Sequence, residues 1–210
     1  MARSYHAAVV TVSDSVAGGT REDLSGPAVV RVLQSAGWTI KSTEVLPDDF
    51  SLLRERLGAL AVDVETDAVF TTGGTGISPR DRTPEATTSV MERSVPGLAE
   101  LMRREGLKKT PLAALSRAVV GVKGKALLIN LPGSPGGAED SLRAILDLLP
   151  HAIDVIRGEE THGSAPAAQP PAAAAPEPEP AEPQPAAAAD PAPADTASPE
   201  PPDSQGNVPE

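Results

Sequence analysis

Residues 69–86 constrain the fold most, because they read as a strand, a glycine-rich loop and a helix in direct succession. An apolar run ends at Phe70, and three glycines in four residues follow in the loop of Gly73, Gly74, Thr75 and Gly76. Thr83 is placed to be the N-cap of the next helix, with Pro84 at its first position and Glu85 in its first turn. This order of elements is typical of α/β proteins.

The same loop predicts a cradle for phosphate groups. Glycines let backbone N–H groups crowd toward an anion, and a helix N-terminus adds partial positive charge. Asp81 stands between Arg80 and Arg82, which a purely structural turn does not need. The glycines alone also fit a plain tight turn, and the loop is neither a Walker A nor a GxGxxG motif. With the charged residues included, it indicates nucleotide chemistry.

Composition divides the chain at about residue 163. From Ser164 onward the sequence holds fourteen of the 23 prolines, eight acids and no lysine, arginine or aromatic residue. These acids contribute −8 of the formal net charge of −11, which leaves −3 for residues 1–163. Such a segment buries too little apolar surface to offset its ordering entropy. We therefore predict one domain over residues 1–163 and a disordered, acidic Pro/Ala-rich tail over residues 164–210.

Several classes of function are disfavoured by what the sequence lacks. The chain has no cysteine, so disulfides, thiol nucleophiles and cysteine metal sites are excluded. No segment resembles a signal peptide or a membrane span, which makes the cytoplasm the expected location and a membrane partner unexpected. The basic residues between Arg103 and Lys125 have no interleaved aromatics, which argues against nucleic acid as a partner. We expect Arg103 to lie on a solvated face, and Arg117 and Lys123 to approach a ligand.

Strand and helix patterns alternate along residues 1–163. The strand candidates are residues 7–12, 38–46, 68–71, 117–122 and 126–131. The helix candidates are residues 25–36, a segment capped by Asp49 or Ser51, residues 84–93, 96–106 and 111–115, and residues 135–157 with a break near Pro150. This alternation predicts an α/β fold whose mainly parallel sheet is covered on both faces.

Polar loops follow the predicted strands, and ligands of such sheets bind outside the carboxyl ends of the strands. The strand-end segments are Ser13-Asp14, Asp48-Asp49, Gly73 to Gly76, and Asn130 to Pro135. Taken singly, Asp14 and Asp48 could be helix caps and Pro132-Gly133 a plain turn. Because all four loops meet at the carboxyl ends of the strands, which we call the rim, they predict a shared site.

These motifs give the sequence a specific resemblance. The segments Thr11 to Asp14, Asp23 to Pro27, Leu46 to Asp49, Thr72 to Gly76, Pro79 to Ala86, Pro96-Gly97, Leu115 to Arg117 and Asn130 to Pro135 occur in the order and spacing of the Mog/MoaB family. That family includes the G domains of gephyrin and its plant counterpart. The resemblance covers residues 6–160 and none of the tail. It implies a three-layer α/β/α sandwich, usually assembled as a homotrimer.

The resemblance also implies an activity in molybdenum-cofactor biosynthesis: transfer of AMP from ATP to the phosphate of molybdopterin, with Mg²⁺ bound and pyrophosphate released. Asp48 and Asp81 match the family's essential aspartates and are the expected catalytic and metal-binding residues. The expected nucleotide and phosphate contacts are Ser13, Asp14, Gly73, Gly74, Thr75 and Gly76. The expected molybdopterin contacts are Ser116, Arg117, Pro132, Gly133 and Ser134. For Thr83 and Glu85, helix capping is a sufficient explanation and a role in the site is also open.

Two other functions remain open from the sequence. The same fold could bind molybdopterin without turnover, as a module or as a partner of a molybdenum insertase. The acidic tail could instead be the functional part of an interaction protein. The intact motifs around Asp48 and Asp81 favour the enzyme.

Overall fold

A six-stranded sheet forms the centre of the computed structural model, which describes residues 4–159. Its strands are β1 (His6–Val12), β2 (Thr39–Leu46), β3 (Ala68–Thr72), β4 (Arg93–Ser94), β5 (Val120–Lys123) and β6 (Ala126–Leu131). They lie in the order β2-β1-β3-β6-β5-β4. The strands β2, β1, β3 and β6 are parallel, whereas β5 pairs antiparallel with both β6 and the edge strand β4. The predicted mainly parallel sheet is confirmed.

Helices cover both faces of this sheet. They are α1 (Asp14–Ala17), α2 (Ser25–Ser35), α3 (Phe50–Val62), α4 (Thr83–Val90), α5 (Pro96–Leu107), α6 (Pro135–Ile145) and α7 (Leu149–Arg157), with 3₁₀ turns at Pro111–Leu115 and Leu146–Leu148. One core cluster joins the sheet to α2, α5, α6 and α7, and a second joins its other face to α3 and α4. The three-layer sandwich is therefore confirmed.

The alternation of side chains along the strands produces the two cores. In β1, Val9 packs with the larger cluster, and its neighbours Ala8 and Val10 pack with the smaller one. Because successive strand residues point to opposite faces, a continuous apolar run is needed where both faces are covered. All five residues of β3 are buried for the same reason.

The strand order places a topological switch point between β1 and β3. From β1 the chain goes to β2 on one side, and then crosses to β3 on the other side. The loops after β1 and β3 therefore separate and leave a crevice at the carboxyl ends of the strands.

Local boundaries differ from the sequence prediction where tertiary pairing intervenes. The helix expected to reach Arg93 ends at Val90, because Arg93 and Ser94 pair with β5. The strand expected from Arg117 begins at Val120. Thr83 is the first residue of α4 and Arg82 is the N-cap, so the expected capping role of Thr83 is wrong. The break expected near Pro150 is the 3₁₀ turn between α6 and α7.

Two expectations concern the chain ends and membranes. The predicted tail, residues 164–210, lies outside the described residues, and the domain boundary at residue 163 stays a prediction. Between residues 4 and 159, no helix is both long and apolar enough to cross a membrane.

Candidate functional site

The loops after β1, β3 and β6 touch through their backbones. Gly73 has a φ of 107°, and a Cβ at this position would overlap the carbonyl oxygen of Val12. A Cβ at Gly133 would lie 3.1 Å from the Cα of Gly73. The Thr72 hydroxyl donates to the carbonyl oxygen of Pro132 at 2.7 Å and fixes the distance between the second and third loops. Glycine is needed here because three chain segments meet without room for side chains.

Asp14 and Asp48 connect the loops after β1 and β2. The backbone N–H of Asp48 donates to Asp14 Oδ1 at 3.0 Å, and that of Asp14 donates to Asp48 Oδ2 at 3.3 Å. Neither residue is a helix N-cap, because Ser13 caps α1 and Asp49 caps α3 through the Leu52 N–H. Neither aspartate therefore caps a helix, and each accepts a backbone N–H from the other's loop.

Negative charge accumulates around Asp48. Burial raises the pKa of the Asp48 carboxyl, and repulsion from Asp14 and Asp81 raises it further. The Asp14 amide and the Arg80 guanidinium lower this pKa but do not offset the rise. Arg80 forms an ion pair with Asp14 across the rim, although its side chain is largely exposed. Arg80 supplies one positive charge beside the three carboxylates of Asp14, Asp48 and Asp81, so the cluster keeps excess negative charge and would attract a cation.

Asp81 lies in the loop between β3 and α4 and faces the glycines. Its Oδ2 accepts the Ser78 N–H at 2.8 Å, and a Cβ at Gly76 would lie 3.0 Å from the same oxygen. This close approach requires glycine at position 76 if the carboxylate is to keep its orientation.

Arg117 holds that loop in place. Its backbone N–H donates to the carbonyl oxygen of Thr75 at 2.9 Å. Its guanidinium donates to the carbonyl oxygens of Gly76 at 2.6 Å and Asp81 at 2.7 Å, and it forms an ion pair with Glu85. The hydrogen bonds from Arg117 lower the pKa of the Glu85 carboxyl. The guanidinium is thus engaged with protein groups, and Glu85 acts as its partner.

Two cavities adjoin at the rim. The larger, about 590 Å³, is lined by predicted site residues from three loops: Gly74, Thr75, Gly76, Asp81, Ser116, Pro132, Gly133 and Ser134. Apolar side chains of α5 and the 3₁₀ turn form part of its wall, and polar side chains complete it: Arg103, Lys109, Thr110, Asp140 and Ser141. The smaller, about 360 Å³, is lined by Ser13 and Gly73 and shares Gly74, Gly133 and Ser134 with the larger one.

The structure thus brings most predicted site residues together. Within the part of the chain that it describes, Asp14, Asp48 and Arg117 line neither cavity and lie beside them. Lys123 does not approach this rim, because it pairs with Glu92 near the far edge of the sheet.

The structure places several other residues differently from the sequence prediction. Arg103, expected on a solvated face, lines this cavity and donates to the carbonyl oxygen of Ala118 at 2.9 Å. Asn130, counted with the rim loops, is buried in β6, and its amide donates to Thr71 and Thr87. The apolar lining from α5, such as Ala99 and Met102, gives no signal in the sequence beyond ordinary amphipathic periodicity.

Known proteins are similar to this chain in sequence. Residues 8–151 match a family model described as a probable molybdopterin binding domain. A molybdopterin adenylyltransferase from Helicobacter pylori is 38% identical over 160 residues, which cover 74% of this chain and 90% of that protein. One from Escherichia coli is 37% identical over 141 residues, covering 66% of this chain and 72% of that protein.

Solved structures agree with these matches. The molybdopterin biosynthesis enzyme MoaB from Thermus thermophilus superposes with a TM-score of 0.70 at 47% identity. The superposition covers 73% of this chain and 97% of that one.

Proposed function

The chain belongs to the molybdopterin-binding domain family of molybdenum-cofactor biosynthesis, and we propose that it is a molybdopterin adenylyltransferase acting with Mg²⁺ and ATP. In this reaction AMP passes from ATP to the terminal phosphate of molybdopterin and pyrophosphate leaves. One observation carries the proposal: Asp81 lines the same cavity as Ser116 and the loop containing Gly133. The expected catalytic carboxylate and the expected molybdopterin wall therefore border one space.

The two adjoining cavities suit a reaction between two anionic substrates. Gly74, Gly133 and Ser134 form their common boundary, and the first turn of α6 begins there. Backbone N–H groups and a helix N-terminus can hold phosphates where the substrates meet. Nucleotidyl transfer depends mainly on positioning and charge neutralisation, which such a boundary can provide.

The donor set at the rim fits a magnesium ion held by Asp48 and Asp81. Asp48 Oδ1 is buried and makes no hydrogen bond within residues 4–159. The same residues contain no cluster of three or more His, Cys, Asp or Glu side chains arranged to hold a metal. Mg²⁺ binds through one or two carboxylates while keeping several waters, so two aspartates suffice. A bound ion would supply charge neutralisation at the phosphates.

The protein residues would then position the reactants. Arg117, through its contacts with Gly76 and Asp81, would hold the loop that presents the carboxylate. Ser116, which also lines the larger cavity, would orient the molybdopterin phosphate. Arg80 would be free to turn from Asp14 toward phosphate, because its side chain is 74% exposed.

Incubation of purified protein with molybdopterin and Mg-ATP tests this function directly. We expect adenylylated molybdopterin and pyrophosphate in equal amounts, and neither product with EDTA or without ATP. Binding of molybdopterin without either product would favour the alternative, a non-catalytic binding module or a partner of a molybdenum insertase.

Assembly and location remain proposals. From the family resemblance we propose a homotrimer, which light scattering on the purified chain tests. A monomer at micromolar concentration would contradict it. The cytoplasm stays the location predicted from the sequence.

A further inference from the structure

The hydroxyl of Thr83 is buried without a hydrogen-bond partner among the described residues. Thr83 is fully buried at the start of α4, and its backbone N–H donates to the carbonyl oxygen of Gly74 at 3.2 Å. Native proteins pair nearly all buried polar groups, so an unpaired one points to an unfilled role. Valine has nearly the same shape as threonine and would avoid the cost of burying an unpaired hydroxyl.

The second unpaired oxygen at this point belongs to Asp48. A Cβ added at Gly74 would lie 2.8 Å from Asp48 Oδ1 and closer still to Thr83 Oγ1. The two oxygens therefore lie no further apart than one bridging water can span. Gly74 has a φ of 61°, and its lack of a side chain allows both oxygens to approach the same point, where a Cβ would collide with them.

Another threonine of the same helix shows what a structural hydroxyl does here. Thr87 lies one turn further along α4 and is also fully buried. Its hydroxyl accepts a hydrogen bond from the Asn130 amide at 2.8 Å and so connects α4 to β6. Thr83 has no such partner within residues 4–159, and the nearby unpaired acceptor is a carboxylate of the site.

We propose that Thr83 is a positioning residue for Asp48. Its hydroxyl donates to Asp48 Oδ1 through one bridging water and so fixes the rotation of the carboxylate. Each carboxylate oxygen has two lone pairs, so Oδ1 can accept this hydrogen bond and still bind the metal, while Oδ2 accepts the Asp14 N–H. This inference rests on the proposed role of Asp48 in holding the metal.

Three variants of the full chain test the inference: Thr83→Val, Thr83→Ser and, as the matched control, Thr87→Val. Mn²⁺ titration by electron paramagnetic resonance measures metal affinity, and thermal denaturation measures stability. We expect Thr83→Val to weaken Mn²⁺ binding about tenfold, the lower end for losing a group that orients a ligand, with an unchanged or higher thermal midpoint. Thr83→Ser should restore the affinity. Thr87→Val should lower the midpoint and leave Mn²⁺ binding intact.

A double variant tests whether the effect passes through Asp48. In an Asp48→Asn background, Thr83→Val should weaken Mn²⁺ binding no further. In turnover assays Thr83→Val should lower kcat and leave the KM for molybdopterin unchanged.

Four results would overturn the inference: wild-type Mn²⁺ affinity in Thr83→Val, no rescue by serine, an equal added loss in the Asp48→Asn background, or no Mn²⁺ binding by the wild type. Failure of the proposed function looks different. A wild-type protein that forms no adenylylated product, yet loses Mn²⁺ affinity on Thr83→Val, would refute the activity and support the positioning role.

Discussion

Asp67 and Asp48 lie at opposite ends of the sheet, and the surroundings of their carboxylates differ. Asp67 immediately precedes β3 and is 1% exposed. It accepts the His6 N–H at 2.8 Å and forms an ion pair with Arg157 of α7. Asp48 follows β2, lies near two other acids, and keeps one oxygen unpaired within the described chain.

The difference predicts separate roles in stability and in function. At the amino end of the strands, the buried charge is compensated and connects α7 to the sheet. At the carboxyl end, like charges and unpaired oxygens destabilise the folded protein, and a bound cation would offset this cost. Active sites are commonly less stable than the rest of a protein for this reason.

Loss of Arg157 should produce the largest effect. Arg157→Met removes the guanidinium that pairs with the buried Asp67 carboxylate, and loss of one partner of a buried ion pair typically destabilises by about 3 kcal/mol. For a domain of this size we expect a fall in thermal midpoint on the order of 10 °C. Arg143→Met, which removes an exposed partner of Glu139, is the control and should change the midpoint little. Equal midpoints for the two variants would contradict the assigned role of Asp67.

Removal of charge at the other end should affect turnover and not stability. We expect Asp48→Asn and Asp81→Asn to lower turnover on the order of 100-fold, because the metal and the α-phosphate lose their alignment. The thermal midpoint should stay the same or rise as repulsion is relieved. Asp49→Asn is the matched control, since asparagine caps α3 equally well. Full activity in both site variants would make these carboxylates structural.

Arg117 supports the site from outside the two cavities. Arg117→Lys keeps the charge but cannot donate to two carbonyl oxygens and Glu85 together. We expect turnover to fall about tenfold while molybdopterin affinity is retained, because the loop carrying Asp81 loosens. Arg104→Lys, on the exposed side of α5, should behave as wild type. A selective loss of molybdopterin binding in Arg117→Lys would instead indicate direct ligand contact.

Acid should weaken the ion pair between Arg117 and Glu85. Because Arg117 lowers the pKa of Glu85, the stabilisation is complete above the ordinary pKa of glutamate and is lost as pH falls through the lower folded value. The thermal midpoint of wild type should exceed that of Glu85→Gln slightly at pH 7, and the gap should narrow as the pH falls below the ordinary pKa of glutamate. Glu85 is 43% exposed, so the effect is small. A gap that widens in acid would have the wrong sign.

Removal of the tail should have the smallest effect. Its composition offers no apolar anchor and no positive charge. A chain ending at Gly163 should keep the thermal midpoint and the turnover of the full chain. A clear fall in either would show that the sequence-based interpretation of residues 164–210 is wrong.

Much of the fold followed from local patterns. Apolar runs such as residues 126–131 and cap residues such as Asp49 depend on neighbours in sequence, so their strands and helices were predicted closely. One error arose where distant segments interact, because pairing of Arg93 with β5 ended α4 early. Another concerned the start of α4: the Ala86 N–H donates to the carbonyl oxygen of Arg82, which makes Thr83 the first residue of the helix.

The sequence by itself determined the fold class, the glycine loop and the carboxylates of the rim, because backbone conformation and residue chemistry are local properties. Only the tertiary structure decided what each side chain contacts. Packing brings the Arg117 guanidinium to the carbonyl oxygens of Gly76 and Asp81. It also leaves one oxygen of Thr83 and one of Asp48 without a hydrogen-bond partner among the described residues. Hydrogen-bond partners far apart in sequence are set by the packing of strands and helices, and no short pattern encodes them.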